Sequence, residues 1–83
     1  MIAYDIQEEN AISIQIAKDI SKDEMTSIDF TVEALTEGNP NTNIRFRLQE
    51  GIPIRWIQHL ERLCEGIPNS YSMERVPTLN QQF

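Results

Sequence analysis

Eighty-three residues with a single cysteine and a net charge of −6 make one small domain without a disulfide framework. A chain of this size buries little more than ~60% of the surface its unfolded form exposes, so its core is thin. The negative balance disfavours generic nucleic-acid binding, which draws on basic groups that displace counterions from phosphates, and no run approaches the ~18 apolar residues of a membrane span.

Ile2, Tyr4 and Ile6 alternate with Ala3 and Asp5, the period of a half-buried strand. Past the polar turn at Glu8, Glu9 and Asn10, Ile12, Ile14 and Ile16 alternate with Ser13, Gln15 and Ala17. Side chains branched at Cβ suit a pleated surface, so these two segments predict a β-hairpin. Ser21-Lys22-Asp23-Glu24 has the spacing of a capping box and predicts one helical turn.

Residues 25–35 carry two patterns. Met25, Ile28, Val32 and Leu35 fit a helical stripe, whereas Ile28, Phe30 and Val32 fit a strand. The β-propensity of Thr26, Phe30, Thr31 and Val32 favours the strand. The loop Thr36–Asn41, with Gly38 and Pro40, precedes a second alternation of Ile44, Phe46 and Leu48 with Arg45 and Arg47. Paired as a hairpin, these two strands would share an apolar face and set Asp29, Thr31 and Glu33 near Arg45 and Arg47 on the other.

Gly51 ends that strand, and Pro53 sits where a helix takes its first residue. Trp56, Ile57, Leu60, Leu63 and Cys64 give a broad apolar face at helical spacing, and Gly66-Ile67-Pro68 predicts a left-handed stop. The expected fold is α+β: a four-stranded antiparallel sheet of two hairpins, one helix from about Pro53 to Glu65 on one face, and an extended tail. Residues 1–67 form the domain and 68–83 the tail, with Phe30, Phe46, Trp56, Ile57 and Leu60 in the core.

Catalysis needs converging groups, and His59 and Cys64 stand five positions apart on one helix, a spacing that splays them. Zinc would require more cysteine or histidine ligands than these two. The glycines are scattered and form no phosphate loop. Glu61 and Glu65 beside Cys64 oppose the depressed pKa that a reactive thiol needs. The acid pairs Glu8–Glu9 and Asp23–Glu24 fall in turns and read as solvated. The sequence therefore predicts no catalytic residues, metal or cofactor.

Charge is divided along the chain. Nine acids against Lys18 and Lys22 leave −7 over residues 1–40, while four acids against five arginines leave +1 over residues 41–83. This predicts a non-enzymatic protein-binding module, an inhibitor or accessory subunit that engages a basic surface of a larger complex. A specific form is a phage-borne inhibitor seated in the basic nucleic-acid channel of a defence system. Two surfaces are candidates. Asp5, Glu8, Glu9, Asp23 and Glu24 sit at turns expected to meet at one end of the sheet. Arg55, His59 and Arg62, spaced i, i+4, i+7, share a ridge of the helix suited to a phosphate or carboxylate.

Two other readings stand beside this one. Unprotected sheet edges and the apolar tail residues predict a homodimer or larger assembly. The arginines at 45, 47, 55, 62 and 75 would serve a small nucleic-acid-binding domain. With neither a basic leader segment nor a long apolar run at the N-terminus, the expected location is cytoplasmic.

Overall fold

Glu24 N–H donates to Ser21 Oγ at 3.2 Å and Ser21 N–H donates to Glu24 Oε1 at 3.1 Å. This capping box satisfies two of the donors that a helix start leaves free. It opens a full helix rather than the single turn that the sequence suggests. The computed structural model describes residues 2–8 and 11–77. Its elements are β1 (Ile2–Glu8), β2 (Ala11–Ile16), α1 (Lys22–Gly38), β3 (Asn43–Gln49), α2 (Ile54–Glu65) and β4 (Tyr71–Val76).

The sheet has four strands in the order β1-β2-β3-β4. The β1–β2 pair is antiparallel, with Ile2 opposite Ile16 and a register shift between Asp5 and Glu8. The β2, β3 and β4 strands are mutually parallel, with Ile14 opposite Phe46 and Phe46 opposite Met73. Parallel neighbours need a crossover, and α1 and α2 supply the two. Crossovers of one hand that step across the sheet in one direction place both helices on the same face. The even-numbered side chains of β2 and β3 point to that face. Ile12, Ile14, Ile16, Ile44, Phe46 and Leu48 pack there against Met25, Ile28 and Val32 of α1 and Ile57, Leu60 and Cys64 of α2. Burying one side chain of this size contributes ~1.5–3 kcal/mol, so a few of them decide whether the domain folds.

The antiparallel sheet of two hairpins is therefore replaced by a parallel three-stranded unit flanked by β1, and one helix by two. Residues 25–35, read as a strand, lie inside α1. The helical stripe and the cap outweigh β-propensity, which follows burial context more than backbone preference. The hairpin of Ile28–Val32 with Ile44–Leu48 does not exist. Residues 71–76, assigned to an extended tail, form β4. Phe30, assigned to the core, is 68% exposed, whereas Phe46, Ile57 and Leu60 are buried and Trp56 packs partly buried against the core.

Two helix ends also differ from expectation. Pro53 is the N-cap of α2 rather than its first residue, and Gly66 closes the helix at φ −93° rather than in the left-handed region. The positive φ belongs to Gly51, at 91°. Lys18 Cδ lies 3.4 Å from where a Cβ on Gly51 would stand. Beside it, Lys18 N–H donates to Gln49 Oε1 at 2.9 Å, tying the end of β2 to the end of β3. Asn69 fastens the opposite edge of the structure. Its buried Nδ2 donates to Asn39 O at 2.8 Å and Thr42 O at 2.7 Å, holding the α2–β4 loop against the α1–β3 loop.

Candidate interaction surface

The buried stripe of α1 is Met25, Ile28, Val32 and Thr36. At 100° per residue, the opposite side of the helix is centred on Phe30. Asp23 and Glu37, seven positions before and after Phe30, fall nearly in line with it. Thr26, Ser27, Glu33 and Ala34 flank it, and all of these residues are exposed. The outer face of α1 thus presents a bare phenyl ring among small side chains and three carboxylates.

Asp23, in the first turn, complements the dipole of α1, but Glu37 sits badly for helix stability. The last turn of α1 contains no basic residue, and Glu37 stands there against the partial negative charge of the free carbonyls. The arrangement costs stability and is not explained by it.

On the flank of α1 that faces α2, Asp29 meets His59. His59 Nε2 lies 2.9 Å from Oδ1 and 3.1 Å from Oδ2. Trp56 packs edge-on to His59 with ring centroids 6.4 Å apart, and the Arg55 guanidinium stacks 5.0 Å over the Trp56 ring. Farther along the same seam, an open cleft of ≈ 550 Å³ separates the helix ends. Glu33, Thr36 and Glu37 line one side, and Arg62, Leu63, Gly66, Ile67 and Pro68 the other. The cleft continues the outer face of α1 and carries both signs of charge.

The sequence-predicted surfaces are dispersed. Asp23 and Glu24 open α1 after the C-terminal end of β2, whereas Glu8 pairs with Ala11 at the other end of that strand. A six-residue strand spans ~20 Å. Asp5 is in register with Ser13 in the middle of the β1–β2 pair, and Glu9 lies outside the described residues. The acid set therefore does not meet at one end of the sheet. The ridge on α2 is also divided, because His59 is turned to Asp29 and Arg55 to Trp56, leaving Arg62 at the cleft. The remaining arginines do not join them. Arg45 and Arg47 stand on the open face of the sheet, where Arg47 Nε is 3.2 Å from Glu74 Oε2, and Arg75 is on β4.

Sequence reasoning missed Phe30 as a surface group, although the helical stripe at Met25, Ile28 and Val32 already placed it opposite the core. Among the described residues no cluster of three or more histidine, cysteine or acidic side chains could hold a metal ion, and no helix is long and apolar enough to cross a membrane. No family model, curated protein or solved structure matches the chain.

Proposed function

We propose that this chain is a non-enzymatic protein-binding module whose outer α1 face engages a basic surface of a larger partner. The observation that carries the reading is the exposure of Phe30 in the middle of a face that also bears Asp23, Glu33 and Glu37. Aromatic anchors supply much of the energy at protein interfaces, and the surrounding carboxylates steer a basic partner and fix its orientation. Placing Glu37 against the helix dipole is the kind of stability loss that function retains. A partner whose basic surface otherwise holds nucleic-acid phosphates fits this chemistry, and the module then acts as an inhibitor by occupying that surface.

The test is capture on immobilised full-length chain at low salt, with three proteins compared. Wild type retains the partner, and retention falls steeply with added salt. Phe30→Ala and the triple variant Asp23→Lys, Glu33→Lys, Glu37→Lys each lose it while keeping helical circular dichroism and a cooperative melt. Retention that is indifferent to salt, or equal for Phe30→Ala, defeats the reading. Competition by added single- or double-stranded nucleic acid then separates the inhibitor form from an accessory subunit.

A further inference from the structure

We propose that β4 docks edge to edge on β4 of a second copy of this chain, antiparallel, with Met73 facing Met73 across a two-fold axis. β4 is the terminal strand of the sheet, and among the described residues nothing pairs with its outer edge. Unpaired strand edges template pairing with another chain unless something blunts them. β4 contains no proline and no register shift.

The backbone fixes which residues of β4 can bond to a second strand. Ile44 N–H donates to Ser70 O and Glu50 N–H donates to Val76 O. In a parallel ladder the residues of one strand alternate in the side to which their N–H and C=O point. Even-numbered residues of β4 therefore bond to β3, and Tyr71, Met73 and Arg75 present their N–H and C=O outward. Antiparallel pairing exchanges bonds only between outward-facing residues. Setting Met73 against Met73 joins Tyr71 to the second copy's Arg75 and Arg75 to its Tyr71, so every outward group of all three residues is used.

Side chains agree with this register. Tyr71 and Arg75 lie on the helix-bearing face of the sheet, in register with Ile44 and Leu48, so the arginine meets a tyrosine ring that is 41% exposed. On the open face, Ser72 comes opposite the second copy's Glu74. Centring the axis on Ser72 sets Arg75 opposite the second copy's Asn69 and loses its contact with Tyr71, and the registers on the other side bring like charges together. A shift that centres the axis on Glu74 sets two carboxylates face to face, and one that centres it on Arg75 sets two guanidinium groups together. The product is an isologous dimer with one continuous sheet. Its interface lies beyond α2, away from the outer face of α1, so the inference stands apart from the proposed partner site.

The experiment is sedimentation equilibrium on the full chain over a wide concentration range, with substitutions at Ser72. Ser72→Glu places like charges opposite Glu74 at two symmetric positions, and Ser72→Arg places opposite charges there. The expected result is a dimer for wild type, a dissociation constant raised roughly 2- to 30-fold by Ser72→Glu, and a lowered one for Ser72→Arg. In parallel, Met73→Cys is oxidised under mild conditions. Residues in a hydrogen-bonded antiparallel pair have Cα atoms ~5.5 Å apart, within the ~4.4–6.8 Å that a disulfide spans. Met73→Cys should cross-link two chains and Arg75→Cys should not. A monomer at every concentration, the same direction of change for both Ser72 variants, or equal cross-linking at 73 and 75 overturns the proposal.

Discussion

His59 Nε2 bridges both carboxylate oxygens of Asp29, at 2.9 and 3.1 Å, and so joins α2 to α1 across thirty positions of sequence. Both side chains are about one third exposed, which limits the strength of the contact. Partly exposed pairs contribute ~0–1 kcal/mol, with somewhat more where a hydrogen bond involves charge. Asp29→Ala and His59→Ala should each lower stability by about 0.5–1.5 kcal/mol in urea unfolding. A double-mutant cycle should return a coupling of about 0.5–1 kcal/mol. Additive single effects would show that the two helices are held by apolar packing alone.

Phe30 and Phe46 separate the fold described here from the hairpin that β-propensity suggests. In that hairpin both rings are core, and either truncation would unfold the domain. With α1 as a helix, Phe46→Ala removes a fully buried ring and should cost about 3–5 kcal/mol. Phe30→Ala should stay within about 0.5 kcal/mol of wild type, as solvent-facing substitutions do. Midpoints of urea denaturation followed by circular dichroism distinguish the two cases.

The sequence carried more of this fold than β-propensity brings out. Ser21 and Glu24 marked the true start of α1, and Met25, Ile28 and Val32 recur at the spacing of its buried stripe. Thr31 and Val32 pull toward strand only through propensity, which tertiary packing overrides. Once residues 25–35 are helical, the order of elements becomes strand, strand, helix, strand, helix, strand, and parallel pairing follows because a helix between strands is a crossover. Tyr71, Ser72, Met73 and Glu74 alternate as an edge strand should, yet exposure of both faces weakens the pattern. Ile12, Ile14, Ile16, Ile44, Phe46 and Leu48 were legible throughout, since period-2 alternation is unambiguous when one face is fully buried. The candidate surface was less so, because Asp29 and His59 meet only through the packing of two crossovers.

Asn69 is buried with its Nδ2 shared between Asn39 O and Thr42 O. Asn69→Ala takes the side-chain donor from Thr42 O and leaves Asn39 O only the Thr42 N–H at 3.1 Å, and should cost about 1–3 kcal/mol. Asn69→Asp should cost more, because an acceptor then faces two acceptors. Thermal unfolding measures the loss, and amide exchange at Ile44 and in the Asn39–Thr42 turn should accelerate first.

Burial, and after it the carboxylate of Glu61, push the Cys64 thiol up from 9.0 to about 11. Between those values the folded chain holds a proton that the unfolded chain has released, so stability falls with rising pH. The contribution is complete below the unfolded pKa and is lost as pH rises through about 11. Cys64→Ala should flatten the alkaline limb of a stability–pH curve while lowering the whole curve through the cavity it leaves. At neutral pH the native thiol should resist a disulfide reagent that reacts promptly once urea is added. Equal rates in the two conditions would contradict its placement in the core.

Glu37 stands on the outer face of α1 in a last turn that holds no basic residue. A carboxylate there opposes the helix dipole by ~0.3–1 kcal/mol. Glu37→Gln should therefore raise the urea midpoint by a corresponding amount, and Glu37→Lys should raise it further. If the acid is kept for a partner, both substitutions should weaken capture in the order of charge removed, so that stability and binding move in opposite directions. Gains in both would leave Glu37 without a role in recognition and would shift the partner contact toward Phe30 and Asp23.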